Sequence, residues 1–211
     1  MNADGAGTLI ELDNSTFSGN HSTALGGGLA IRQGVMTLSS VTVADNFLDA
    51  PLAGSRPASP DGAPVGGGVY MSSGAVVTVR NSLIARNTDL SGAAPDCFGS
   101  YDSKDYNLVQ NLTGCTLTDQ TTHNVTGKDP RLLPLGNFGG STDTQALLGD
   151  SPAVDAGNPG GCRDAHGTLF PYDQRFQSRS FDGDLDGTAR CDIGAYELVW
   201  LARLLLPLVV R

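Results

Sequence analysis

The 211-residue chain is poor in charge, in aromatic rings and in basic residues, and it holds no long unbroken apolar run. Only 17% of its residues are charged and 6% are aromatic, with 13 Lys and Arg against 22 Asp and Glu. A formal net charge of -9 leaves no basic stripe to neutralise phosphates, which argues against a nucleic-acid partner. The most apolar stretch, Leu198 to Arg211, is interrupted by Arg203 and Pro207 and falls short of the ~20 residues that cross a bilayer. The opening residues Met1 to Gly7 show neither the basic head nor the apolar run of a secretory leader. No CxxC pair is present to build a metal knuckle, and no Ser or Cys sits in a nucleophile elbow. His21, His123 and His166 lie far apart and read as solvated loop residues. Of these, His166 gains interest only if folding sets a carboxylate against it.

What the chain does have is a repeat. Leu12-Asp13-Asn14-Ser15-Thr16-Phe17-Ser18-Gly19-Asn20 is followed by Leu38 to Asn46 and by Val79 to Asn87 in the same pattern, each copy ending on Asn. Two copies lead into glycine triplets and an apolar strand, Gly26-Gly27-Gly28-Leu29 and Gly66-Gly67-Gly68-Val69. The terminal Asn residues are 26 apart and then 41 apart, the second interval containing an inserted loop, Pro51 to Val65. A period in the twenties suits short strands and turns and is too short for helical hairpin repeats of about 33 residues or more. Alternation in Val76-Val77-Thr78-Val79 and Val41-Thr42-Val43 likewise predicts strands. The 28 glycines agree with a turn-rich all-β chain.

Tight corners need residues that tolerate positive φ, and Gly and Asn do so at least steric cost. Stacking would place Asn20, Asn46 and Asn87 above one another at a structural corner, where their amides can form a hydrogen-bonded ladder. The four cysteines fall in two local pairs, Cys97 with Cys115 and Cys162 with Cys191. Three connectivities are formally open, and pairing by proximity is the simplest. Disulfides would imply an oxidising, extracytoplasmic compartment, whereas four reduced buried thiols are the alternative. Asp182-Gly183-Asp184-Leu185-Asp186-Gly187 places carboxylates at alternate positions on a sharply turning backbone, a pattern that suits a structural calcium ion. Asp182, Asp184 and Asp186 are its candidate ligands, against a solvated acidic turn. The twelfth position counted from Asp182 is Ile193, so the loop is not an EF-hand.

Beyond residue 95 a series of motifs follows in order: Pro95-Asp96-Cys97-Phe98-Gly99, Asp105-Tyr106-Asn107-Leu108-Val109, Gly136-Asn137-Phe138-Gly139-Gly140-Ser141-Thr142, Ser151-Pro152-Ala153-Val154-Asp155-Ala156-Gly157, Asp173-Gln174-Arg175 and Cys191-Asp192-Ile193-Gly194-Ala195-Tyr196-Glu197. From about Leu9 to Glu197 the chain resembles the bacterial surface proteins called choice-of-anchor Q domain proteins. Its first repeats are similar to those of polymorphic outer-membrane proteins, with Phe17-Ser18-Gly19-Asn20 matching their FxxN element. The resemblance implies a secreted or surface-attached right-handed parallel β-helix and implies no enzyme activity. One departure is that Asp173-Gln174-Arg175 runs into Phe176-Gln177-Ser178 where relatives tend to have Gly and then Arg-Pro.

The expected architecture is therefore an all-β, single-stranded parallel β-helix. Its coils occupy 1–100 with a loop insertion at 51–65, a loop-rich region at 101–197 completes the stack, and an apolar tail follows at 198–211. The tail reads as a cap strand, a sorting or anchor signal, or an interfacial segment. With no cap before the first strand, the chain is expected to be the C-terminal part of a longer exported protein, with end-to-end contact through its first coil. The expected role is a non-catalytic extracellular or cell-envelope scaffold, adhesin-like, with carbohydrate or a surface protein as partner. The alternative is a polysaccharide lyase or glycoside hydrolase. Against it, Glu11, Asp13 and Asp45 and the bases Arg32, Arg80 and Arg86 occupy scattered repeat positions, with no alignment on one face.

Overall fold

The computed structural model describes residues 1–3, 5, 7–49 and 65–199. The insertion expected at 51–65 lies outside the described residues apart from Val65, and so does the tail at 198–211 apart from Leu198 and Val199. Every regular element among the described residues is a strand. The chain makes repeated passes. The first contains β1 (Asn2–Ala3), β2 (Leu9–Asp13), β3 (Thr16–Ser18) and β4 (His21–Ser22). The second contains β5 (Leu29–Ile31), β6 (Gly34–Ser39), β7 (Thr42–Ala44) and β8 (Phe47–Leu48). The third contains β9 (Val69–Met71), β10 (Ala75–Arg80), β11 (Leu83–Ala85) and β12 (Thr88–Asp89). Then come β13 (Cys97–Lys104) with β14 (Leu108–Val109), and β15 (Cys115–Gln120) with β16 (Val125–Thr126).

Each strand pairs in parallel with its counterpart in the neighbouring pass. Strand β6 lies between β2 and β10, β7 between β3 and β11, and β8 between β4 and β12. Strand β13 is long enough to serve two sheets: Cys97 and Phe98 pair with β9, whereas Asp102 and Ser103 pair with β10. Stacking continues through β15 and β16 as far as Thr126, past residue 100.

Register turns the sequence alternation into columns. Met36 opposes Ile10 and Val77, and Leu38 opposes Leu12 and Val79, so one side chain in two points into a shared interior. That interior also takes Val43, Ile84 and Val109 from the next sheet, and Cys97, Tyr101 and Cys115 from the last passes. Cys97 and Cys115 form a disulfide within it. The buried Tyr101 hydroxyl donates to a backbone carbonyl, with Val69 O and Phe98 O each 3.0 Å away. The glycine triplets have a steric reason. The Gly27 N–H donates to Gly66 O at 2.9 Å, and a Cβ on Gly27 would stand 2.1 Å from the Gly67 carbonyl oxygen.

Between 127 and 199 the described chain stops stacking and contributes only isolated antiparallel bridges, such as Leu132 with Leu147 and Tyr172 with Ser178. It folds back over the outer side of the β7–β11–β14 sheet. Ala44, Leu83, Ala85 and Leu108 point outward from that sheet into a second core with Leu132, Ala146, Leu147, Ala153, Val154, Ile193, Tyr196 and Leu198. This sheet is therefore buried on both faces, and its strands carry apolar residues in succession. The Cys162–Cys191 disulfide fastens the covering region.

Burial on this scale sets the cost of truncation. Ile84 is 1% exposed in the shared interior. Ile84→Ala is expected to lose about 2–5 kcal/mol in urea unfolding. Val76 stands on the outer side of β10 and is 50% exposed. Val76→Ala should stay within about 0.5 kcal/mol of the parent.

Candidate functional site

Asn20, Asn46 and Asn87 form a directional ladder. The Asn20 side-chain amide donates to Asn46 Oδ1 at 2.8 Å, and the Asn20 backbone N–H reaches the same oxygen at 3.0 Å. Asn46 repeats both bonds onto Asn87 Oδ1, at 2.9 and 3.0 Å. Asn87 repeats them onto Asp96 Oδ1, each at 3.0 Å, and Asp96 Oδ2 accepts the Asn111 N–H at 2.8 Å. A carboxylate ends the series because both of its oxygens accept. Burial nevertheless pushes the Asp96 carboxyl up to about 6, against the lowering effect of these N–H donors. The left-handed backbone at this corner is adopted one residue before each Asn, by Gly19, Asp45 and Arg86. Asp45 and Arg86 are ion-paired there, and Arg86 also donates to Leu132 O at 2.7 Å, tying the covering region to the corner.

The motifs of the covering region converge on a buried cluster of charges. Arg175 donates through Nε to Asp173 Oδ2 at 2.9 Å, and its guanidinium lies 3.6 Å from the centre of the Tyr196 ring. Arg179 is 3.5 Å from Glu197 Oε2 and donates to Gly194 O at 2.8 Å and to Asn14 Oδ1 at 2.7 Å. Asp192 accepts the N–H groups of Asp155 at 2.8 Å and Leu198 at 2.6 Å, and its own N–H donates to Glu197 Oε2 at 2.9 Å. Glu197 Oε1 is buried without a hydrogen-bond partner. Burial drives the Glu197 carboxyl up to about 9, with the nearby Asp192 charge adding and Arg179 opposing, so Glu197 holds a proton at neutral pH. Asp192 is raised as well, chiefly by burial.

A carboxyl shifted this far is the usual mark of a catalytic acid. Here Glu197 is 0% exposed, and Asp173, Arg175, Arg179 and Asp192 are buried around it. Among the described residues Arg179 borders a recess lined by Leu169, Pro171 and Tyr172, and its guanidinium is spent on Gly194 O and Asn14 Oδ1. The cluster acts as a clamp that fixes the covering region to the first pass through Asn14, to the second through Thr42 and to the third through Asn81. Thr42 Oγ1 accepts the Ala195 N–H at 3.0 Å, and Asn81 Nδ2 donates to Asp192 O at 2.8 Å. The Asp-Gln-Arg and Cys-Asp-Ile-Gly-Ala-Tyr-Glu stretches carried this chemistry in the sequence. What pairs with what depended on the folding-back of the chain.

The acidic turn is arranged differently from its spacing alone. Carboxylate oxygens of Asp182 and Asp184 approach that of Asp155, all within 4.8 Å of one another, and Asp186 is not part of this group. Asp155 already accepts from the N–H groups of Gly183 at 2.7 Å, Asp184 at 2.9 Å and Arg190 at 3.0 Å. The Asp186 N–H closes back onto Asp184 Oδ1 at 3.0 Å, and that of Gly187 onto Asp182 Oδ2 at 2.9 Å. The oxygens that would ligate an ion thus also serve as turn acceptors. Asp155, buried in the Ser151-Pro152-Ala153-Val154-Asp155 stretch, joins the turn only through tertiary structure.

The open side of β2, β6 and β10 carries the remaining chemistry. Asp13 opposes Ser39, and Ser39 opposes Arg80, so Glu11, Asp13 and Arg80 share one outer face. This corrects the expectation that the repeat-region acids and bases are all scattered. His166 Nε2 contacts Glu11 Oε2 at 3.2 Å, which supplies the carboxylate that its sequence position left open. Asp13 is raised above the ordinary carboxylate range by partial burial, with Asp164 and Glu11 adding and His166 opposing. The outer column beside them, Leu9, Val35 and Val76, is exposed and aliphatic.

The geometry defines an all-β protein of stacked parallel strands with a strand-poor cover. No family model, no curated protein and no solved structure matches the chain.

The clamp makes a pH-dependent prediction. Glu197 is protonated in the folded state up to about 9, whereas its ordinary value is 4.5. The folded state therefore binds the extra proton. The stability this proton contributes is complete below 4.5 and is lost as pH rises through 9. Glu197→Gln keeps an acceptor for the Asp192 N–H and removes this titration. Melting temperatures measured across that range should fall more steeply towards alkaline pH in the parent than in the variant.

Proposed function

We propose that the chain is a non-catalytic extracellular or cell-surface module, scaffold or adhesin-like, whose stacked passes make a right-handed parallel β-helix. The observation that carries this reading is the use of its perturbed acids: Glu197 and Asp192 are buried and bonded in the clamp, and Asp96, although it lines an open polar recess with Arg86, Gln110 and Asn111, has its oxygens taken up by the N–H groups of Asn87 and Asn111. Two disulfides fit an oxidising compartment. No helix among the described residues is long and apolar enough to cross a membrane. The resemblance to choice-of-anchor Q surface proteins points the same way. The outer face of β2, β6 and β10, with its exposed column of Leu9, Val35 and Val76, is the contact surface for carbohydrate or a surface protein.

A polysaccharide-cleaving enzyme is the second reading, favoured by the single contact of Glu11 with His166 beside Asp13 and Arg80. Assay of new reducing ends and of unsaturated products, over acidic and neutral polysaccharides with added calcium, should give no product above background. Product that disappears in Glu11→Gln would replace the scaffold reading with the enzyme.

For the acidic turn we propose a structural calcium ion held by Asp155, Asp182 and Asp184, as a stabiliser of the strand-poor cover. Calcium at a hundredfold excess over its Kd should add about 2.7 kcal/mol of stability, and chelator should remove it. An Asp184→Asn variant should lose most of that response in thermal melts. Melts indifferent to calcium and chelator alike would leave a self-closed acidic turn.

A further inference from the structure

Two guanidinium groups stand out in this acidic chain. Among the described residues, neither Arg80 nor Arg163 forms an ion pair. Their hydrogen bonds go to backbone carbonyls: Arg80 Nη1 to Asp164 O at 2.8 Å, and Arg163 Nη1 and Nη2 to Gly167 O at 2.7 Å and Gly160 O at 3.2 Å. Both line one small cavity of about 60 Å³, together with Lys104, Asn158, Tyr106 and Asp105. That is room for about two water molecules, or for one carboxylate group.

The charges around the cavity are unequally satisfied. Lys104 Nζ is held between Asp102 at 2.9 Å and Asp119 at 2.7 Å. Asp105, the one acid in the lining, has its oxygens occupied by the His123 N–H at 2.7 Å and the His123 ring nitrogen at 2.6 Å. The Asn158 side chain accepts the Gly160 N–H at 2.8 Å, which leaves its amide N–H groups as donors. The positive potential of Arg80 and Arg163 is therefore not cancelled within the site. The carbonyl bonds also hold both forks in place before any ligand arrives, and the Cys162–Cys191 disulfide fixes the intervening wall.

We infer that the cavity lined by Arg80, Arg163 and Asn158 binds a carboxylate group, as carried by the uronic-acid residues of an acidic glycan. Planar guanidinium forks match a carboxylate by paired charge-assisted hydrogen bonds, and a neutral sugar offers no equivalent group. The inference rests on the proposed surface role only for the polymer that presents the carboxylate. The pocket chemistry stands apart from it.

Galacturonate titrated into the 15N-labelled full chain tests the pocket. Saturable shifts are expected at residues 158–163 and at the Arg80 and Arg163 side chains, with none from galactose and weaker binding as salt rises. Arg163→Gln changes an exposed side chain and should weaken binding by about tenfold, as should Arg80→Gln. Absence of shifts, equal shifts with galactose, or unchanged binding in both variants would overturn the site. Shifts with inorganic sulfate and none with galacturonate would overturn its assignment to carboxylates. Retention on immobilised polygalacturonate is a separate arm: galacturonate binding without retention would count against the surface role while upholding the pocket.

Discussion

Everything in this protein depends on successive passes of the chain lying in register. Each backbone N–H that leaves one pass must meet a carbonyl or an amide oxygen on the next, because the interior offers no water to replace it. The asparagine ladder is this constraint made visible in side chains. Asn20, Asn46 and Asn87 each use a backbone N–H and a side-chain N–H on the next acceptor, and the series closes on the carboxylate of Asp96. Direction follows from this chemistry. An amide both donates and accepts, so it can sit mid-ladder, whereas a carboxylate only accepts and so ends it.

In-register stacking produces two exteriors with different fates. The β7–β11–β14 sheet presents Ala44, Leu83, Ala85 and Leu108 outward, and water would be a poor neighbour for that surface. The strand-poor region from residue 127 onward covers it. This region has few backbone pairings of its own, so it is fastened by side chains: the Cys162–Cys191 disulfide, the Arg86 bond to Leu132 O and the buried Arg175, Arg179, Asp173, Asp192 and Glu197 cluster. Placing charges there is costly in itself, and they are tolerable because nearly every donor and acceptor finds a partner and Glu197 keeps its proton. Among the described residues the β2–β6–β10 sheet has no such cover across its aliphatic column, and the cationic cavity opens where the cover meets its edge.

Much of this was legible in the sequence. The repeat with its alternating apolar residues indicated parallel stacked strands, because strand periodicity is a local property of residue order. The cysteine pairs were readable from proximity. Stacking of the corner Asn residues followed from turn chemistry, although the left-handed conformation falls on Gly19, Asp45 and Arg86, one position earlier. The acidic turn was visible at Asp182 and Asp184, but Asp155 was not, since 27 residues separate it from Asp182 and a buried partner leaves no trace in local spacing. The contact of Glu11 with His166 was equally out of reach, spanning 155 positions.

Sequence alone determined the strand alternation, the corner chemistry and the acidic, turn-rich composition, because each depends on residues close together along the chain. Tertiary structure decided which sheet face is covered, which carboxyls are buried and which arginines stay without a carboxylate among the described residues. Those outcomes depend on what surface the chain from residue 127 meets when it folds back. Burial, and with it the proton on Glu197 and the open charge of Arg80 and Arg163, belongs to that meeting and to no single stretch of residues.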